Sequence, residues 1–373
     1  MKIRCRREKF LPLFNLISSF TSSRDVRPVL QNVKIVADEK NVLLTATDGE
    51  VGGRGVLPLD DGFVLESAGE AILPSKLLKK ILTETTDDEI SLEFENGKLL
   101  VRGARSKYQL DTSDDWDKFP AVADFNENSY IKIAAKSLCE LIRRTVFATD
   151  VNNSHYELRG VKFIFSEDRT IAVATDGRRL AFQECASERC GEKSGEGEFS
   201  LEAIFPPRAL NLIERSASDA AEALIAVRDT EAVVRIGDVV VSTTLMVGRF
   251  PDWKTIIPDR TAKKRVDFIA GELARAIRQA EIVATENKPG VWFNFTEGSV
   301  DIAAAGEATG ESSVVLPIAY SGEDHKLRLD SRFLNEFFRC VSPEETIAFY
   351  FFGDYRTLLE TTDGYQYVVM QLA

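Results

Sequence analysis

The stretch VATDGRRLAF, Val173 to Phe182, gathers a hydroxyl, a carboxylate and two guanidinium groups around a glycine. Side chains of these types, Thr175, Asp176, Arg178 and Arg179, could build a nucleophile, a metal ligand or an anion site. A nucleophile or a metal needs help from its neighbours. No His, Lys or second carboxylate recurs beside Asp176 to activate it or to complete a ligand set. The chain has only two histidines, His155 and His325, and five scattered cysteines, Cys5, Cys139, Cys185, Cys190 and Cys340. Cys185 and Cys190 are spaced C-x4-C, with no second pair to finish a zinc site. Neither a GxGxxG nor a P-loop sequence is present. No catalytic residue, no metal site and no cofactor are expected. Asp-Gly between two β-rich arms reads first as a hairpin turn.

The elements around that turn recur. LTATDGEVGG at 44–53 resembles AVATDGRRLA at 172–181, and DIAAAGEATG at 301–310 is a weaker third copy. Three amphipathic helices are expected at 8–20, 134–148 and 271–284, where apolar residues recur every three or four positions. Leu138, Leu141, Ile142 and Val146 show that spacing. A second set of helices is expected to start at Pro74, Pro206 and Asp330, since Pro and Asp are good start signals. β-rich arms flank Asn-Gly at 96–97 and Gly-Asp at 237–238 and 353–354, a hairpin pattern. Each unit therefore reads helix, strands, helix, strands, with helices on one face of antiparallel sheets, an α+β arrangement. Units of about 125 residues are domains in size, too long for solenoid repeats. Tandem domains of one kind suggest a pseudo-symmetric object closed by self-association.

Composition agrees with three such units. The 373 residues are 44% hydrophobic and 28% charged, ordinary for a globular protein. No apolar run approaches the ~20 residues that span a bilayer. MKIRCRREKF lacks the apolar core of a secretory signal, so packed cytoplasmic thiols are expected.

Charge is unevenly placed. The net charge is −12, yet the six helical windows carry +8, leaving −20 for the rest. Helices favour Lys and Arg by propensity, which is one explanation. The other is that the helices share a face presented to a polyanion. The two helical windows of the third unit are neutral, which weakens the second explanation there.

With repeats, basic helices and turns in view, the chain resembles the bacterial sliding-clamp family, the beta subunits of the replicative DNA polymerase. RDVRPVLQNV (24–33), TATDGE (45–50), VATDGRRLA (173–181), VGRFPDW (247–253) and YVVMQL (367–372) carry the resemblance across essentially the whole chain. It implies three tandem clamp domains at 1–125, 129–255 and 264–373, each of two helices packed on antiparallel sheets. Two chains would close head to tail into a homodimeric ring. Helices would line the hole and duplex DNA would pass through it, held topologically and without regard to sequence. The implied role is non-catalytic and cytoplasmic, at the nucleoid: tethering the polymerase and other replication and repair proteins.

The resemblance also carries residues over. Tyr108 and Leu110 would meet Ile282 and Val283 of a second copy at the dimer interface. Arg24, Lys76, Asn152, Tyr156 and Arg208 would face DNA. A socket for short apolar peptides of polymerases, clamp loader and repair proteins would include Leu158, Thr175, Gly177, Arg178, Arg179, Leu180, Pro251, Ile256, Val368, Met370 and Leu372. Three positions depart from the family pattern: Gln371 replaces a proline, Thr255 an arginine and Glu157 an aromatic. The socket is expected to persist with a shifted peptide preference. The rival reading is a three-domain interaction scaffold that forms no ring.

Within the chain, the first TDG turn is followed by Glu50, Val51 and Gly52, not by Arg-Arg-Leu. That difference between copies singles out Arg178, Arg179 and Leu180 for a site.

Overall fold

The computed structural model describes residues 1–22, 27–59, 62–112, 118–150, 152, 154–191, 199–217, 220–259, 264–285, 290–306, 308–352 and 355–372. Among them the chain forms six α-helices: α1 (Arg7–Ser18), α2 (Ser75–Glu84), α3 (Ala135–Thr145), α4 (Pro207–Ser216), α5 (Ala270–Ala280) and α6 (Ser331–Phe338). Each coincides, to within a few residues, with a helix expected from apolar spacing (α1, α3, α5) or from a Pro or Asp start signal (α2, α4, α6). In α1 the buried Phe10, Phe14 and Ile17 follow that spacing. In α6 the expected start signal operates as a cap: the Asp330 carboxylate accepts from the backbone N–H of Arg332 at 3.0 Å.

The chain divides into two compact units. The first holds residues 1–139, 187–198 and 208–245, the second 140–186, 199–207 and 246–373. Within the first, a five-stranded and a nine-stranded sheet are antiparallel throughout. The nine-stranded sheet joins repeats: Val51–Pro58 pairs with Val239–Thr244, with Gly53 opposite Val241. Within the second unit, a four-stranded and an eight-stranded sheet do the same. There Arg179–Ala186 pairs with Gln366–Met370, with Leu180 opposite Val368. The middle repeat thus contributes strands to both large sheets.

Local sequence explains the turns and the tight contacts. Asn96 and Gly97 have φ of 53° and 71°, the left-handed pair that a two-residue hairpin needs. Gly237 does the same at 55°. The third such pair, Gly353–Asp354, lies outside the described residues. Strand Val51–Pro58 carries glycines for a different reason. A Cβ on Gly53 would lie 2.5 Å from the ring of Phe20, and one on Gly55 2.6 Å from Leu13. The strand is bare so that α1 and the residues after it can lie against it.

The second unit has an aromatic core. Phe295 and Phe351 stack at 4.7 Å, and His325 stacks on Phe351 at 4.6 Å. Burying each of the two phenylalanine side chains contributes roughly 1.5–3 kcal/mol. Among the described residues no disulfide forms, and burial pushes the Cys5 and Cys185 thiols up to about 12, which makes them poor nucleophiles. No described helix is long and apolar enough to cross a membrane.

Phe20 is fully buried, so an added methyl at Gly53 has nowhere to push it. Gly53→Ala is expected to destabilise the first unit by about 1–3 kcal/mol through overpacking. The urea midpoint should fall with the slope unchanged. An unshifted midpoint would show that the ring moves freely.

Candidate functional site

The turn that opens the argument lies between strands Arg169–Thr175 and Arg179–Ala186. Its geometry is that of a side-chain-braced hairpin. Thr175 Oγ1 donates to the carbonyl of Arg179 at 2.6 Å and accepts from Gly177 N–H at 3.1 Å. Asp176 Oδ1 accepts from the N–H groups of Arg178 and Arg179 at 2.9 and 3.0 Å. Gly177 has φ +88°, and a Cβ there would meet nothing within 4 Å, so backbone conformation and not space favours glycine. Asp48 braces the first-repeat turn in the same way, accepting from Glu50 and Val51 at 2.9 and 2.8 Å.

Adjacent residues on a strand point to opposite faces, and here the faces differ sharply. Arg179 turns toward the helices and is buried. Its Nε donates to Asp176 Oδ2 at 2.9 Å and its Nη2 to the Phe147 carbonyl at 2.7 Å, while Nη1 meets the Glu336 carboxylate of α6. The guanidinium stacks over Phe333, 4.4 Å from the ring centroid. Burial would lower its pKa, but Tyr367 and Glu336 outweigh that and shift it upward, so the charge is fixed. Arg144 of α3 is buried likewise. It donates to Gln183 at 2.7 Å and Asp363 at 2.6 Å. Burial pushes the Asp363 carboxyl up, yet hydrogen bonds from Thr361 and Arg144 hold it below the usual range. Arg144, one of the cations in the basic helical windows, is therefore part of the core.

Leu180 points to the other face. There Val173, Leu180, Phe182, Phe250, Trp253, Tyr350, Leu358 and Val368 form one apolar cluster, with Ile256 packed against it. Trp253 stacks on Phe182 at 5.2 Å. Leu180 and Val368 are wholly covered, so they form a floor. Pro251, Ile256 and Leu372 are half-buried and Met370 is 38% exposed, so these supply the reachable apolar surface. Gly177 and Arg178 are exposed beside them, and Arg178 O accepts from Met370 N–H at 2.9 Å. Thr175 is buried within the turn, and Leu158 is buried on a 3-10 turn, Tyr156–Arg159. Of the eleven socket residues, Leu180, Ile256 and Val368 meet in this cluster. Met370 and Leu372 follow Val368 along the tail, whereas the Arg179 side chain lies across the sheet.

Several residues at this face are not among the expected socket residues. Trp253 and Phe250 belong to VGRFPDW, one of the stretches that carry the resemblance, and pack into the cluster. Arg356 Nη1 donates to the carbonyls of Thr255 and Ile256 at 3.2 and 3.0 Å, holding the arm on which Pro251 lies. Tyr355 is 68% exposed with φ +65°, and its carbonyl accepts from Gln371 N–H at 2.8 Å.

The other expected sites are spread out. In the first unit Lys76 and Arg208 are exposed at the second positions of α2 and α4. Arg208 Nε donates to Asp48 Oδ2 at 2.6 Å. Tyr108 is 39% exposed and Leu110 half-buried, both on the edge strand Lys107–Asp111 of the five-stranded sheet. In the second unit Ile282 is 76% exposed and Val283 half-buried, on the 3-10 turn after α5. Asn152 is exposed, as is Tyr156 at the start of the 3-10 turn Tyr156–Arg159, and the Arg159 guanidinium lies 5.5 Å over the Tyr156 ring. Arg24 lies outside the described residues.

The Arg179 contacts make a specific demand on stability. Arg179→Met leaves the Asp176 and Glu336 carboxylates without their partner, which typically costs about 3 kcal/mol or more. The urea midpoint should fall accordingly. A midpoint within error of the parent would show that the clasp contributes nothing net.

Comparisons with known proteins identify the architecture. Sequence models of the DNA polymerase III beta subunit match here, the N-terminal domain over residues 1–123 and the central domain over 132–252. The beta sliding clamp of Proteus mirabilis is 27% identical over 350 residues, 92% of each chain. That of Chlamydia pneumoniae is 28% identical over 324 residues, 87% of this chain and 85% of its own. A sliding clamp from Pseudomonas aeruginosa, solved bound to griselimycin, superposes with a TM-score of 0.90 at 25% identity, over 100% of this chain and 99% of that one. The Bacillus subtilis clamp gives the same TM-score and coverage at 20% identity, a likeness of fold. The chain belongs to the DNA polymerase III beta subunit family, the non-catalytic DNA sliding clamps.

Proposed function

We propose that this sliding clamp closes head to tail with a second copy into a ring around duplex DNA, and tethers a polymerase to it. The carrying observation is the family match over both of its first two domains within one fold shared end to end. The three repeats, 1–125, 129–255 and 264–373, are the domains of that ring. Closure brings the edge strand bearing Tyr108 and Leu110 to Ile282 and Val283 of the partner copy. An unpaired strand edge and exposed apolar side chains at both places favour this reading. Arg24, Lys76, Asn152, Tyr156 and Arg208 contact the DNA backbone without reading sequence. The ring works in the cytoplasm, at the nucleoid.

Polymerase subunits, the clamp loader and repair proteins bind through short apolar peptides at the face built on Leu180 and Val368. Met370, Ile256, Pro251 and Leu372 form its adaptable wall, with Leu158, Thr175, Gly177 and Arg178 along its border. Arg179 serves the socket from behind, by fixing the turn. Thr255, Glu157 and Gln371 shift the peptide preference from the family's usual one.

Topology gives the decisive experiment. After loading, the clamp should remain on nicked circular plasmid and be lost when the plasmid is linearised. Light scattering should give a particle near twice 41.5 kDa. Equal retention on both DNA forms, or a monomer at micromolar concentration, would instead fit the scaffold that forms no ring.

The socket is tested separately. Removing Met370 to Ala373 should abolish binding of a polymerase-derived peptide and leave the dimer intact. Undiminished peptide affinity would refute the socket while leaving the ring untouched.

A further inference from the structure

Lysines on the sheet surfaces of this chain are commonly matched by an acid. Lys2, Lys34, Lys132 and Lys162 each reach a glutamate on the neighbouring strand, Glu66, Glu70, Glu188 and Glu202 respectively, at 2.7–2.8 Å. Such cross-strand pairs leave little net charge on the face that carries them.

The four-stranded sheet of the second unit departs from that habit. Its edge strand, His325–Asp330, carries Lys326 and Arg328 on one face, since residues two apart share a side of a strand. Neither has a carboxylate partner among the described residues. Both lie on the ring of Trp292 instead, a residue of the adjoining strand Gly290–Thr296 that stands directly opposite Arg328. The Lys326 ammonium is 4.2 Å and the Arg328 guanidinium 5.5 Å from the ring centroid. Asp301, on the next strand of the same face, is taken by Asn294 at 3.2 Å and Ser313 at 2.6 Å. Lys326 is exposed, and Arg328 and Trp292 are half-buried.

A bare backbone joins this pair of cations to the C-terminal tail. A Cβ on Gly290 would stand 2.5 Å from Arg328 Nε and 2.6 Å from Leu372 Cδ1. Glycine there lets the arginine stem and the Leu372 side chain lie against the same residue. Arg328 Nε is covered and has no hydrogen-bond partner. One edge of the guanidinium has therefore lost water without gaining a bond, which favours a carboxylate at the remainder. The Arg328 carbonyl also accepts from Leu372 N–H at 2.8 Å. Leu372 belongs to the wall of the apolar socket, so the cationic surface continues that wall. Stacking on the ring holds the charges in place before anything binds.

We propose that Trp292, Lys326 and Arg328 extend the socket with a surface for acidic side chains, which flank the apolar residues of a partner peptide. This rests on the reading of the Leu180–Val368 face as a peptide socket. Partners are then sorted by the charge beside their apolar residues as well as by apolar fit. A cation-flanked ring also suits a nucleic-acid base. Continuity with the tail favours the peptide.

The test titrates the full-length protein against a fluorescein-labelled, polymerase-derived apolar peptide. The peptide is used bare, with a short run of glutamates at either end, and with lysines in their place. Glutamates at one end should tighten binding about fivefold at low salt, as two partly exposed ion pairs provide. Lysines should give no gain. In Lys326→Gln combined with Arg328→Met, which keeps a stem against Gly290, the gain should vanish while the bare peptide binds as before. Lys326→Gln alone changes only an exposed side chain and should lose part of the gain with the melting temperature unmoved, so an unstable Arg328 variant leaves the test intact. Glutamates that add nothing at either end overturn the proposal, and so does a gain that survives both substitutions. A labelled oligothymidylate that binds the parent and not the double variant, with no gain from glutamates, assigns the surface to single-stranded nucleic acid and overturns it too. A bare peptide that fails to bind the parent overturns the socket itself, an outcome separate from the loss of the glutamate gain.

Discussion

Alternation along one strand, Arg179–Ala186, divides the labour of the second unit. Arg179 and Leu180 are neighbours in sequence and opposites in environment. One enters a set of ion pairs and ring stacks with α6, and the other becomes the floor of an apolar face. Pairing with Gln366–Met370 locks this assignment, because a slip by one residue would send the guanidinium into the apolar cluster and the leucine against Glu336. Such a slip would leave a buried charge without a partner, which costs several kcal/mol. The buried clasp therefore helps set the register on which the opposite face depends.

The two Thr-Asp-Gly turns show how one device is reused. Each holds its aspartate by the same backbone hydrogen bonds, and each aspartate has an oxygen left for an arginine. Asp176 spends that oxygen on Arg179, next in its own hairpin. Asp48 has no arginine at the equivalent position and takes Arg208 from another repeat. Burial separates the outcomes. A guanidinium drawn under Phe333 becomes structural, and one left half-exposed at a helix start stays available to an anion.

Much of this was legible in the sequence, and the exceptions have a common cause. Helix positions, the Asn96–Gly97 turn and the Asp330 cap depend on neighbours a few residues away, so spacing and residue type suffice. The Glu336 partner of Arg179 and the Asp363 partner of Arg144 lie 157 and 219 residues distant, where one sequence carries no pairing signal. For the same reason a charge count over the helical windows includes Arg144, which is buried in the core. The sharing of the middle repeat between two large sheets was also hidden, since edge strands of adjoining repeats look alike before they pair. Trp253 and Phe250 lay in a marked segment, but a Phe-Pro-Asp-Trp stretch reads equally as a linker. Only its position over Phe182 shows that it closes the apolar face.

Gln371 shows what a residue with a backbone N–H does at its position near the end of the last strand. Proline has no N–H, so it cannot donate from that position. Gln371 donates its N–H to the carbonyl of Tyr355, a residue in the left-handed region that non-glycine residues seldom occupy. Leu372 N–H then reaches the Arg328 carbonyl at 2.8 Å. The tail is thus tied at two successive amides, to Tyr355 just before strand Arg356–Thr361 and to Arg328 within strand His325–Asp330, and Met370 is presented between those ties and the Arg178 carbonyl. A proline stiffens a tail by restricting its own φ, whereas here the stiffness comes from hydrogen bonds to neighbours. Hydrogen bonds can open where a pyrrolidine ring cannot. The Gln371 tie lies beside Met370 and leaves the buried pair of Leu180 and Val368 untouched.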